Sequence, residues 1–249
     1  MRILISNDDG IYSPGIATLA AVASGFGEVH VVAPDVERSS AGHSITASAP
    51  LSYKPTPLGG VKAWRVNGTP ADCVTIGLDR WEKVDVVLSG INLGSNLGNA
   101  IWHSGTLAAA KQAALLGVRG IALSTPSTET SPSFEMLRPW VARVMELLLP
   151  ATDLKLVNVN LPAKMPRGIQ WTQQSVRRYD GKVVPAKDPM GRSIYWYTVV
   201  PLEGAEEGTD LWATEHGYVS ITPLCMDLTN HKELERARHA YPVEAIIFG

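Results

Sequence analysis

The chain has 249 residues, 45% hydrophobic and 18% charged, with a formal net charge of −2. That length carries one sizeable domain, or one domain with an appendage. The near-neutral balance excludes bulk attraction to a nucleic-acid polymer or an anionic membrane. Two distant cysteines, Cys73 and Cys225, make no disulfide framework and no CxxC metal signature. No stretch reaches the ~18 apolar residues of a membrane span, and no signal-peptide pattern opens the chain, so a cytoplasmic protein is expected.

Residues 2–6 read as a short buried strand. Residues 14–24 read as a helix, with Ser13 as N-cap and Pro14 at the first helical position. Gly25 and Gly27 stop it, and residues 28–33 (EVHVVA) form a second strand ended by Pro34. This unit predicts a right-handed crossover and a parallel pair. Residues 84–88 (VDVVL) read as a third core strand, 105–116 as a helix capped by Ser104, and 120–124 as a fourth strand. The Thr/Ser/Pro stretch 125–133 is a loop, with a helix over 132–149 and a strand over 156–160. Strand and helix alternate, so residues 1–160 predict a doubly wound, mostly parallel α/β sheet.

From residue 168 the pattern changes to strands and loops rich in Trp, Tyr, Pro and charge. Asp180-Gly181 signals a hairpin within about 177–200, strands follow at 195–200 and 218–222, and a short helix at 229–238. Residues 161–249 therefore read as a β-rich appendage to one domain spanning 1–249. A hairpin of that size is not stable alone, which suggests an arm packing on another subunit. Trp171, Trp196, Trp212, Tyr179, Tyr195 and Tyr197 suit an interface, although core is the plainer reading for any one of them. Asp227 and His231, spaced i, i+4, pair across a helix start or form a local cap.

Ligands of open α/β sheets bind beyond the carboxyl ends of the strands. Asp8 and Asp9 stand at such an end, as do the loops 35–40 and 89–99, so all three converge if their strands are neighbours. Adjacent strand residues face opposite ways, so the Asp9-Gly10 turn has to bring both carboxylates to one cation. The plainer reading of the acids is a turn favoured by the following helix dipole. Ser39, Ser40 and His43 lie in the second loop near Gly42, a composition that also suits a flexible surface loop. The third loop has Gly90, Gly94 and Gly98 interleaved with Asn92, Asn96 and Asn99, but no GxGxxG and no GK[ST]. Ser104-Gly105-Thr106 opens a helix, which is either an ordinary cap or an anion site. Two carboxylates with Ser and Asn oxygens suit Mg²⁺, Mn²⁺ or Ca²⁺. Acids, cation and phosphate cradle together point to a metal-assisted phosphohydrolase.

Six stretches, in order, resemble the SurE family (survival protein E, a stationary-phase 5′/3′-nucleotidase). They are NDDG at 7–10, PD…RS…GHSIT at 34–46, GTPADC at 68–73, SGIN-GSNLG at 89–98, SGT at 104–106 and GYVSITPL-DLT at 217–229. The resemblance implies a Rossmann-like core whose C-terminal part exchanges elements within a homodimer or homotetramer. It implies hydrolysis of nucleoside monophosphates to nucleoside and phosphate, with short polyphosphate a further substrate of some members. One divalent cation per subunit, Mg²⁺ or Mn²⁺, would be held by Asp8, Asp9, Ser39 and Asn92. The substrate side would comprise Asn96, Ser104, Gly105 and Thr106, with Ser40 and His43. Asp8, Asp9 and Asn96 would be the catalytic set. His103 departs from the family pattern, in which several relatives carry Tyr.

The expected chemistry is direct attack by an activated water, with the 104–106 amides and Asn96 taking phosphoryl charge. His43 and His103 are open candidates for protonating the leaving alkoxide, or are plain loop histidines. Two other classes compete. An aspartyl-phosphate enzyme or receiver also ends its first strand in acids, but a receiver needs a late-strand lysine where this chain has Leu88-Ser89-Gly90 and Leu123-Ser124-Thr125. A non-catalytic nucleotide or metal sensor would share the cradle.

Overall fold

The computed structural model describes residues 1–127, 134–162, 164–176, 182–198 and 204–241. The first strand, β1 (Arg2–Ser6), has Ile3, Leu4 and Ile5 wholly buried, as befits a strand covered on both faces. Helix α1 (Pro14–Ala23) starts where expected: Pro14 occupies the first turn and the Ser13 hydroxyl accepts from the Ile16 amide at 3.4 Å. It leads to β2 (Glu28–Pro34), parallel to β1 with Ile3 opposite Val29.

Three elements between β2 and the next core strand were not anticipated. They are β3 (Tyr53–Pro55), β4 (Lys62–Val66) and α2 (Pro70–Arg80). The two strands are three and five residues long and are separated by a Pro/Gly-containing stretch, so they carry little periodicity. The helix had a legible start: Thr69 and Asp72 cap each other's amides in a capping box, with Pro70 between them.

Strand β5 (Val86–Leu93) runs further than the expected 84–88. It passes through the stretch read as loop, with a register irregularity between Ser89 and Asn92. A short 3-10 turn, Gly98–Trp102, then meets α3 (Gly105–Leu115), capped by Ser104 as expected. Strand β6 (Arg119–Thr125), helix α4 (Phe134–Leu148) and strand β7 (Leu156–Asn160) follow. Residues 132 and 133 of the expected helix lie outside the described residues.

The remaining elements are β8 (Gly168–Trp171), β9 (Lys182–Lys187), β10 (Ser193–Thr198), α5 (Asp210–Glu215), β11 (Tyr218–Leu224) and α6 (His231–Ala240). The nine-stranded sheet has the order β3-β4-β2-β1-β5-β6-β7-β11-β8. The six strands from β4 to β7 are parallel, and β11 is antiparallel to β7. The sheet therefore does not stop at Asn160, because β11 and β8 extend it. Outside it lie the β9–β10 hairpin and α6. The hairpin turns at Asp188, whose Oδ1 accepts from Met190 and Arg192. Asp180-Gly181, the expected turn, lies outside the described residues, as do Tyr179 and residues 199–200.

Alternate strand residues feed two helical layers. Ile3 and Ile5 join Ile16, Leu19, Leu137 and Val141 on the α1–α4 face. Leu4 joins Val74, Val87 and Ala109 on the α2–α3 face. With both faces sealed, ligand access is left to the sheet's edges and strand ends. None of the helices among the described residues is long and apolar enough to cross a membrane.

Candidate active site

The sheet order makes β2, β1, β5 and β6 neighbours, so the loops after β2, β1 and β5 do meet at one carboxyl edge. A cleft of about 940 Å³ opens there. Its lining includes Asp8, Ser39, Ser40, Asn92, Asn96, His103 and Ser104.

The expected bend after β1 is present. Gly10 has φ +94°, and the Asn7 side-chain amide staples the turn by donating to Gly10 O (2.9 Å) and Ser13 Oγ (2.8 Å). The two acids then reach different elements. Asp8 Oδ1 accepts from the Thr106 hydroxyl of α3 at 2.6 Å, and Asp9 Oδ2 from the Leu93 amide of β5 at 3.3 Å. Burial pushes the Asp8 carboxyl above the usual range, partly offset by the Thr106 hydroxyl. Burial, and then the Asp8 charge, pushes Asp9 up to about 6. No lysine or arginine among the described residues offsets either charge.

The α3 start touches Asp8 directly. A Cβ on Gly105 would sit 2.7 Å from Asp8 Cβ, so only glycine lets the helix amides come this close. Ser104 Oγ accepts from Leu107 N at 3.0 Å, and its proton is taken by no acceptor among the described residues. Thr106 is fully buried and its hydroxyl donates to Asp8, so it orients the acid instead of facing a ligand.

Asn96 is held from every side. Its amide donates to Asn160 Oδ1 (2.9 Å), and its carbonyl accepts from Asn158 Nδ2 (2.8 Å) and Asn160 Nδ2 (2.9 Å). Its side-chain amide donates to Ser124 Oγ (2.7 Å) and Thr106 Oγ1 (3.4 Å). It reaches Asp8 through Thr106. Asn158, Asn160 and Ser124 were missed by sequence reasoning. Their signal is faint: Asn158 and Asn160 are polar residues at alternate positions of β7, and Ser124 stands near the end of β6.

The second loop docks by backbone: the Arg38 amide donates to Asp8 O and the Gly42 amide to His103 O. Ser39 Oγ donates to Glu37 Oε1 at 2.6 Å, so its lone pairs remain. Glu37, also missed earlier, adds a weaker repulsion on both aspartates. His43 is placed elsewhere: its Nε2 pairs with Gln112 Oε1 of α3 at 2.8 Å, and it does not line the cleft. His103 does.

The donor set fits a hard divalent cation. Asn92 Nδ2 donates to Gly94 O at 2.7 Å, and no donor among the described residues takes its Oδ1. No group of three or more His, Cys, Asp or Glu side chains gathers among the described residues. The chemistry on offer is instead two carboxylates completed by a hydroxyl and an amide oxygen, all of them hard donors.

Fold and cleft together define a doubly wound α/β protein with a cleft at the carboxyl edge of its parallel strands. A family model described as Survival protein SurE matches residues 3–181. The chain is 48% identical over 242 residues to 5′-nucleotidase SurE 1 of Thermus thermophilus, covering 94% of this chain and 96% of the other. It is 40% identical over 251 residues to 5′-nucleotidase SurE of Deinococcus radiodurans, covering 97% and 93%. The crystal structure of the SurE protein from Aquifex aeolicus is similar with a TM-score of 0.83 at 38% identity, covering 96% of this chain and 99% of that one. The chain belongs to the SurE family.

Proposed function

We propose that the chain is a metal-dependent phosphomonoesterase that converts nucleoside 5′-monophosphates, and 3′-monophosphates, to nucleoside and phosphate. Short polyphosphate is a secondary substrate in this reading. One observation carries it: the buried Asp8 carboxylate, with no cation beside it among the described residues, stands against the α3 start in a nucleotide-sized cleft, and the half-buried Asp9 follows it in the chain. The names of the similar Thermus and Deinococcus proteins support the nucleotide as substrate.

Asp8, Asp9, Ser39 and Asn92 would hold Mg²⁺ or Mn²⁺, one per subunit. Bound there, the cation supplies neutralisation of phosphoryl charge and acidification of a water. The chain's own groups do the rest. The Gly105 amide and the Ser104 hydroxyl bind the equatorial phosphoryl oxygens, where the helix dipole favours negative charge, while the Thr106 amide, like its hydroxyl, is directed to Asp8. Thr106 fixes the Asp8 carboxylate. Asn96, whose side-chain hydrogens go to Ser124 and Thr106, acts by holding Thr106 in place. Of the two histidines, His103 is the one that faces the cleft, and it gives the leaving alkoxide its proton.

The test is phosphate release from AMP and GMP with Mn²⁺ or Mg²⁺. Asp8→Asn and Asn92→Ala should each lose most of the metal-dependent turnover. Undiminished turnover in both would sink the site assignment, and a trapped phosphoenzyme would move the reaction to the aspartyl route.

The subunit arrangement belongs to the same reading. Tyr195, Trp196 and Tyr197 are 64–70% exposed on β10, and α6 buries none of its residues. An aromatic hairpin and an unsupported helix on one chain fit a homodimer or homotetramer in which both pack on a partner copy.

A further inference from the structure

We infer that Trp102 is the stacking platform for the nucleobase, with Tyr197 of the hairpin as a second aromatic surface of the same slot. This rests on the nucleotide reading above. It starts from volume: a cleft of about 940 Å³ is far larger than a phosphoryl group, and suits a ligand the size of a nucleotide. Two aromatic side chains, Trp102 and Tyr197, line that cleft, and they are 54% and 70% exposed. The large apolar side chains beneath it, such as Ile91 and Leu107, are completely buried. A flat apolar surface left open in a cleft is suited to another flat surface.

The chain spacing puts that surface at the right remove. Trp102 lies two residues before Ser104, at most about 7 Å of backbone away. A nucleotide whose phosphate rests on the α3 start therefore carries its ribose past His103 and its base to Trp102. The platform is also fixed in position. The Gly98 amide donates to the fully buried Asp210 carboxylate at 2.8 Å, and Gln174 Nε2 donates to Gly98 O at 3.1 Å. At the other end of the turn, the His103 amide donates to Ala100 O at 3.1 Å.

The indole itself is oriented from one side. The Lys111 ammonium sits over the ring, 5.5 Å from its centroid, and donates to Ile101 O at 3.4 Å. A cation on one face of an indole holds the ring and leaves the opposite face for stacking. Stacking reads no hydrogen-bond pattern, so every base is accepted, and purines, with more surface, are favoured over pyrimidines.

The experiment compares AMP with ribose 5-phosphate, which has the phosphate and sugar but no base, under the same Mn²⁺ concentration. Wild type should show a higher kcat/KM for AMP. In Trp102→Ala the AMP to ribose 5-phosphate ratio should fall about tenfold or more, through the KM for AMP, while Trp102→Phe restores most of it. Tyr197→Ala should move the ratio the same way by less. Matching melting temperatures exclude a folding defect. An unchanged ratio in Trp102→Ala, or equal losses on both substrates, overturns the slot and leaves the phosphatase reading intact. Equal kcat/KM for the two substrates in wild type does the same. Cleavage of neither substrate by wild type overturns the nucleotidase reading, and the slot with it.

Discussion

Asp8 is the residue on which the site turns, because three separate parts of the chain meet it. Thr106 donates to its carboxylate, the Arg38 amide donates to its carbonyl, and Gly105 lies against its Cβ. Gly105→Ala would place a methyl at 2.7 Å from Asp8 Cβ, so acid or helix must move. A displacement of that size should cost about 100-fold in kcat/KM. Steady-state kinetics check this, with circular dichroism showing the fold retained. Ligand binding to the folded state alone raises the melting temperature. Chelator-treated protein should therefore gain melting temperature on adding Mn²⁺, and Asp9→Asn should lose most of the gain in differential scanning fluorimetry.

At the scale of elements, the α2 start does two jobs. Asp72 accepts from the Thr69 amide within the capping box and from the Thr46 amide of the second loop, both at 2.9 Å. Burial pushes its carboxyl up, but the Thr46 and Thr69 hydrogen bonds outweigh burial and leave it below the ordinary 3.8. A carboxyl depressed in the folded state stabilises the fold above its unfolded pKa, and the contribution is lost as pH falls through the folded value. Asp72→Asn should therefore cost about 1 kcal/mol near neutrality. The gap to wild type should close as the pH drops below 3.8, as urea titrations at a series of pH values will show. The same substitution loosens the loop that carries Ser39.

At the scale of the whole molecule, helices cover both faces of the sheet, but β9–β10 and α6 are left largely exposed. Trp196→Lys puts a charge on the exposed hairpin face, and light scattering should show the assembly shift towards monomer. A wild-type protein that is already a strict monomer contradicts the packing proposed for the arm. The arm also carries Tyr197 into the cleft lining, so assembly and nucleotide affinity should change together in hairpin variants.

The sequence by itself determined what depends on near neighbours. Ser13-Pro14 and Ser104 mark helix starts because a cap acts on amides two or three residues away. LVNVN marks a strand because its alternation is read within five residues. The Asp8–Gly10 bend follows from a glycine beside an acid. The α2 start was equally local and went unread because the short strands before it carry no clear period. Only the tertiary structure decided which distant groups meet. Thr106 reaches Asp8 across 98 residues, Asn160 grips Asn96 across 64, and His43 turns to Gln112 and away from the cleft. It also decided that β11 and β8 join the main sheet. Those contacts depend on strand order, register and helix packing, and no local pattern encodes them, because each arises only when the two buried faces of the sheet find their helices.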